Sequence, residues 1–74
     1  MVYNKILNDA FISLVDDILF SKYVSNETKV SVIMQFMEQF TEQGWDIDSH
    51  IQEERIPFVG DVLFEEALKR FKDV

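Results

Sequence analysis

The residues best suited to chemistry lie close together in the middle of the chain. Asp46, Asp48 and His50, the only histidine, alternate along the sequence. Carboxylate oxygens and an imidazole nitrogen are common metal ligands. A calcium-binding loop, however, also needs a glycine at its sixth position and a bidentate glutamate at its twelfth, and these positions hold Ile51 and Pro57. The pattern therefore predicts a solvent-exposed loop and no metal site.

The sequence contains no recognisable set of catalytic residues. The chain has no cysteine to serve as a thiol nucleophile, and no serine that could pair with His50 stands in a nucleophile-elbow motif. The two glycines, Gly44 and Gly60, cannot form a phosphate-binding loop. Adjacent carboxylates such as Glu53 and Glu54 point about 100° apart on a helix, so they do not form an acid–base pair. We therefore predict no enzymatic activity, no cofactor, and no catalytic or cofactor-binding residue.

The chain is strongly acidic, with a net charge of -7 at pH 7. This charge repels the phosphates of nucleic acids and anionic lipids, so direct binding to nucleic acid or to a membrane is not expected. The same charge could imitate nucleic acid toward a basic protein. An alternative function is therefore a nucleic-acid-mimicking inhibitor of a DNA- or RNA-binding protein, of the kind that phages and mobile elements encode. The candidate acidic surface consists of Asp46, Asp48, Glu53 and Glu54.

The size and composition predict a single domain over residues 1–74. A domain this small buries only about 60% of the surface of its unfolded chain, and without cysteine it has no disulfide to stabilise it. The sequence contains no run of about 18 apolar residues, so no membrane span is predicted. The N-terminal residues lack the form of a signal peptide, because Asp9, Asp16 and Asp17 interrupt the apolar region. We therefore expect a cytoplasmic protein.

The spacing of apolar residues predicts an amphipathic helix from Tyr3 to about Lys22. After a turn, Ser25 or Asn26 can cap a second helix, whose end is marked by Gly44. The short connection predicts an antiparallel hairpin of these two helices. The main apolar face of the first helix comprises Tyr3, Ile6, Leu7, Ala10, Phe11, Leu14 and Ile18, and that of the second Val30, Ile33, Met34, Met37, Phe40 and Thr41.

The C-terminal half is less regular up to Pro57, which interrupts any helix. In the segment 45–57, Asp48 could cap a short helix running to about Arg55, or the whole segment could be a packed loop. A last helix is predicted over 61–72, with a short strand within 55–64 as the alternative. We therefore predict an all-α fold, a small bundle of three to four helices that begins with an antiparallel helix hairpin.

Each of the first two helices carries a second apolar stripe beside its main face. Either the C-terminal half covers these stripes within one molecule, or they form an interface between molecules. An exposed apolar patch of this kind marks an interaction site. We therefore expect a small interaction or regulatory module, a homodimer that self-associates through an apolar helix face. The second stripes comprise Ile12, Val15 and Leu19 on the first helix and Val32, Phe36 and Phe40 on the second, and the candidate partner-binding residues are Ile12, Leu19, Val32, Phe36 and Trp45.

Overall fold

Four helices build the fold in the computed structural model, which describes residues 4–73. This range contains no strand, so the all-α prediction is confirmed and the strand alternative within 55–64 is wrong. Ile56 and Phe58 reach the core from a series of turns instead. Tyr3, the predicted start of the first helix, lies outside the described residues. The helices are α1 (Lys5–Leu19), α2 (Asn26–Glu42), α3 (Ile47–Gln52) and α4 (Val62–Lys72).

Short polar side chains begin the helices by accepting hydrogen bonds from backbone N–H groups that have no partner within the helix. Ser25 caps α2 by accepting from the Thr28 N–H at 3.2 Å, and Asp61 caps α4. The short helix offered as one possibility for 45–57 does form. It begins earlier than predicted, because Asp46 rather than Asp48 provides the cap, and it ends at Gln52.

Gly44 ends α2 as the sequence predicts. Its φ of 91° is left-handed, a conformation that glycine adopts without steric cost. The Gly44 N–H donates to the Thr41 carbonyl at 3.0 Å, and the Trp45 N–H donates to the Phe40 carbonyl at 3.1 Å. The rings of Phe40 and Trp45 then meet edge to face with centroids 5.9 Å apart. These are the two hydrogen bonds and the apolar contact of a Schellman motif.

The end of α3 has the same hydrogen bonds but a different residue at the left-handed position. The Glu54 N–H donates to the Ile51 carbonyl at 3.0 Å, and the Arg55 N–H donates to the His50 carbonyl at 2.9 Å. Glu54 has a φ of 57°. Unlike glycine, glutamate carries a Cβ that makes this conformation unfavourable.

Phe11 of α1 lies at the centre of the core and is fully buried. Its ring centroid is 4.3 Å from that of Trp45, 5.5 Å from that of Phe40 and 6.5 Å from that of Phe64. Aromatic pairs at such distances add to the stabilisation that comes from burial alone. Phe11 therefore joins α1 to α2, to α4 and to the segment that precedes α3.

Asn8 is a polar residue within this apolar core and is 1% exposed. Its side-chain amide N–H donates to the carbonyl oxygen of Arg55 at 3.0 Å, and its amide oxygen accepts from the indole N–H of Trp45 at 3.1 Å. A buried polar group without a partner is destabilising. These two bonds satisfy both ends of the Asn8 amide, the Trp45 indole N–H and the Arg55 carbonyl. They fix α1 against both ends of the segment that contains α3.

We expect Asn8→Ala to lower the free energy of unfolding by about 2–4 kcal/mol, because it leaves the Trp45 indole N–H and the Arg55 carbonyl without their partner. Urea denaturation measures the change. Ser13→Ala, on the exposed side of the same helix, serves as the control and should have little effect. A loss for Asn8→Ala no larger than that of the control would contradict this role.

The ends of α2 and α3 predict two substitutions with opposite effects on stability. Gly44→Ala should destabilise the protein by about 1 kcal/mol, and Glu54→Gly should stabilise it by about as much, because glycine adopts the left-handed backbone without the steric cost that a Cβ brings. An added Cβ at Gly44 would meet nothing within 4 Å, so a steric clash does not contribute. Thermal unfolding measures the stability of both variants relative to the wild type. A change in stability of the same sign in both would refute the backbone explanation.

Candidate interaction surface

Two of the five predicted partner-binding residues lie in the core, which corrects the prediction. Trp45 is 1% exposed because its ring packs on Phe11 and its indole N–H is bonded to Asn8. Leu19 is 7% exposed and belongs to the same core. Neither side chain is available to a partner in this fold. Leu19 and Val15, both buried, show that this part of the second stripe of α1 serves the core of a single molecule.

The predicted antiparallel hairpin of α1 and α2 is seen in two contacts at opposite ends. At one end, the Lys29 ammonium near the start of α2 donates to the Leu19 carbonyl at the end of α1, at 2.8 Å. At the other end, Phe11 of α1 meets Phe40 near the end of α2. The Lys29 contact also places a positive charge at the C-terminus of α1, where the helix dipole favours it.

The contacts of α1 determine which of its sides faces α2. Phe11 faces Phe40 of α2, whereas Asn8 faces Trp45 and the Arg55 carbonyl. With 3.6 residues per turn, Leu14 and Ile18 lie on the far side of Phe11 from Asn8, and thus on the edge of α1 beside α2. Ile12 lies beyond Asn8 on the opposite edge. Ile12 is therefore separated from the other predicted partner-binding residues that remain accessible.

The matching edge of α2 carries Val32 and Phe36. They stand four and eight residues before Phe40, so all three form one row along the side of α2 that faces α1. Phe40 is buried, whereas Val32 and Phe36 are half-buried. Given the register set by Lys29 and Phe40, this row meets the edge of α1. We call the resulting apolar surface the hairpin seam, defined as Leu14, Ile18, Val32 and Phe36.

Leu14 is the most accessible member of the hairpin seam, with 40% of its surface exposed. Ile6 and Ala10 precede it at four-residue intervals and extend the apolar row along the outside of α1. Both are exposed, Ile6 to 81%. The apolar spacing of α1 predicts these residues on the main core face. The structure instead turns that face partly outward and uses the second stripe for the core.

The charge beside the hairpin seam is lower than the composition suggests. Gln35 and Gln39 lie on the exposed back of α2 and are uncharged. Ser13 and Asp17 lie on the exposed side of α1, and only the second is acidic. Much of the acidic charge therefore lies on other parts of the surface.

Three of the four residues of the candidate acidic surface make local contacts. Asp46 caps α3 and also accepts from the Ser49 hydroxyl at 2.9 Å. Asp48 forms an ion pair with Lys72 at 2.7 Å, and Glu53 forms one with Arg55 at 2.9 Å. The structure thus gives these carboxylates intramolecular roles, while the nucleic-acid-mimic hypothesis stays a prediction.

His50 is not in an exposed loop, so that prediction is wrong. It lies in α3 and is 2% exposed. Its ring stacks on that of Trp45 with centroids 5.4 Å apart, and its Nδ1 donates to the Asp46 carbonyl oxygen at 2.6 Å. The apolar neighbour Ile47 shares the buried side of this short helix. Within residues 4–73, no three His, Asp or Glu side chains are placed to hold a metal ion.

The sequence contains a signal for the buried role of Asn8, which the predictions above do not include. Asn8 interrupts an otherwise apolar arc of α1, and an amide in such a place needs buried partners. Its partners, the indole of Trp45 and a backbone carbonyl, are 37 and 47 residues away along the chain, so no local pattern could identify them.

No helix of the described part of the chain is long and apolar enough to cross a membrane.

An exposed ion-pair network joins the start of α2 to α4. Arg70 donates to Glu27 at 2.8 Å and to Glu66 at 3.0 Å. The hydrogen bond from Arg70, and then its positive charge, hold the pKa of the Glu27 carboxyl below its ordinary value of 4.5. A carboxyl whose pKa is lowered in the folded protein stabilises the fold when the pH is above the pKa that it has in the unfolded chain. This contribution is lost as the pH falls through its pKa in the folded protein.

We therefore expect the wild type to lose more stability than Glu27→Gln when the pH is lowered from about 6 to about 3. Urea unfolding at several pH values measures the difference between the two proteins. Asp17→Asn removes an exposed carboxylate of α1 for which the described residues show no ion pair, and it should keep the acid sensitivity of the wild type. Equal acid sensitivity in wild type and Glu27→Gln would contradict the assignment.

Comparisons with protein families, with curated proteins and with solved structures each found no match to this chain.

Proposed function

We propose that the protein is a small acidic interaction module that self-associates through the hairpin seam. The observation that carries the proposal is the continuous, partly exposed apolar edge that α1 and α2 share, with Leu14 the most accessible member. Ile6 and Ala10 enlarge this surface along α1. Apolar surface that is contiguous rather than scattered is typical of sites where proteins bind one another.

A second copy of the chain suits this surface in shape. Two helix hairpins that pack face to face form a four-helix bundle, in which the apolar edges of all four helices meet. A two-fold axis would place the same residues on both sides of the interface. Completing the burial of each large apolar side chain contributes up to about 1.5–3 kcal/mol, less for the half-buried Ile18, Val32 and Phe36.

The charge distribution also supports self-association at this surface. Two molecules that each carry a net charge of -7 repel one another. At the hairpin seam, Gln35, Gln39 and Ser13 keep the border largely uncharged, with Asp17 as the acidic exception. Because many of the carboxylates lie elsewhere, this orientation brings few acidic groups of the two copies together.

The alternative function, imitation of nucleic acid, has less support from the geometry. Asp46, Asp48 and Glu53 are already engaged in a helix cap and two ion pairs, so a basic partner would compete with these contacts. The cytoplasmic location and the absence of enzymatic activity stay predictions from the sequence.

We expect Val32→Glu to reduce self-association, because it places a carboxylate within the hairpin seam of both copies. Val62→Glu is the matched control: it makes the same chemical change at a residue that is 80% exposed at the start of α4. Sedimentation velocity over a range of concentrations up to high micromolar should show a dimer for wild type and for Val62→Glu. Val32→Glu should sediment as a monomer.

Leu14→Glu provides a second variant, because a partly exposed helical position tolerates charge better than a half-buried one. Circular dichroism of each variant checks that the helices remain folded. A wild type that stays monomeric at every concentration would eliminate the homodimer, and equal association of all the variants would eliminate the hairpin seam as its interface.

A further inference from the structure

A shallow groove lies between α2 and α4, away from the hairpin seam. Glu38, Thr41 and Glu42 of α2 form one wall, and Phe71 of α4 forms the other. The groove is on the side of α2 that faces α4, whereas Val32 and Phe36 lie on the side that faces α1. A ligand in the groove would therefore leave the hairpin seam accessible.

The groove combines an apolar wall, formed by Phe71, with a wall that carries acidic residues. Phe71 is half-buried and packs against the core, so its ring is held in place while part of its surface stays accessible. The Thr41 hydroxyl donates to the Met37 carbonyl at 2.7 Å and is thus engaged within α2. The polar character of the wall therefore comes from Glu38 and Glu42, both of which are exposed.

Glu38 and Glu42 are four residues apart on α2, so their side chains are neighbours on one side of the helix and repel each other. The nearby helix α4 has three basic residues in its last turn, Lys69, Arg70 and Lys72. Arg70 is paired with Glu27 and Glu66, and Lys72 is paired with Asp48. Among the described residues no ion pair reaches Glu38 or Glu42, and a cation from another molecule would relieve their repulsion.

We propose that this groove binds an arginine side chain of a partner protein segment. A guanidinium group has five N–H donors in a planar fork, so it can donate to both carboxylates at once. Its plane and aliphatic stem can lie on the Phe71 ring, which attracts a cation through its π electrons. Two carboxylates are too few for a calcium ion, which takes six to eight oxygen ligands, so the charge and shape favour the side chain over a metal.

The test uses a short peptide with one arginine between two leucines, acetylated and amidated so that its ends carry no charge. A second peptide with citrulline in place of arginine keeps the shape and removes the charge. Titration of the full-length protein, followed by two-dimensional amide NMR, should give saturable shifts at Glu38, Thr41, Glu42 and Phe71 with the arginine peptide. The citrulline peptide should give little change.

The double variant Glu38→Gln/Glu42→Gln should weaken binding of the arginine peptide by about threefold to tenfold, the range for the loss of one or two exposed ion pairs. Asp16→Asn/Asp17→Asn is the matched control, because it removes the same charge from exposed positions on α1. Phe71→Leu should also weaken binding, because it removes the ring on which the guanidinium lies. Equal weakening in the two double variants, or the absence of saturable shifts at the groove, would overturn the proposal.

Discussion

The side-chain amide of Asn8 is the constraint on which the arrangement of the helices depends. It lies in an apolar interior, so both ends of the amide must find partners, and they find them in the Trp45 indole and the Arg55 carbonyl. Hydrophobic contacts tolerate small rotations of a helix, whereas hydrogen bonds require a defined distance and direction. Asn8 thereby selects one rotation of α1 about its axis from the several that its apolar surface would allow.

The exposed apolar surface follows from that rotation. When Asn8 points toward the segment around α3, Phe11 turns toward Phe40, and Leu14 is left on the outer edge of the hairpin. The same rotation places Val15 and Leu19 in the core. A single polar residue inside the molecule thus decides which apolar residues of α1 remain accessible to another molecule.

Much of the local structure could be predicted from the sequence because its causes are local. Capping by Ser25 and Asp61 and termination at Gly44 depend on residues within one turn of the helix end. The orientation of the two stripes on α1 could not be predicted, because helical periodicity shows which residues share a face but not which neighbour covers it. The burial of His50 depends similarly on Trp45, since nothing in an alternating acidic segment shows that an aromatic ring will stack on it.

The position of Trp45 makes it a natural optical reporter of the fold. It is the only tryptophan in the chain, it is almost completely buried, and it touches α1, α2 and α3 at the same time through Asn8, Phe40 and His50. Indole emission depends on the polarity around the ring. Detachment of any one of these three helices would admit water to the same fluorophore, so the intrinsic fluorescence of the protein follows the integrity of its central junction without an added label.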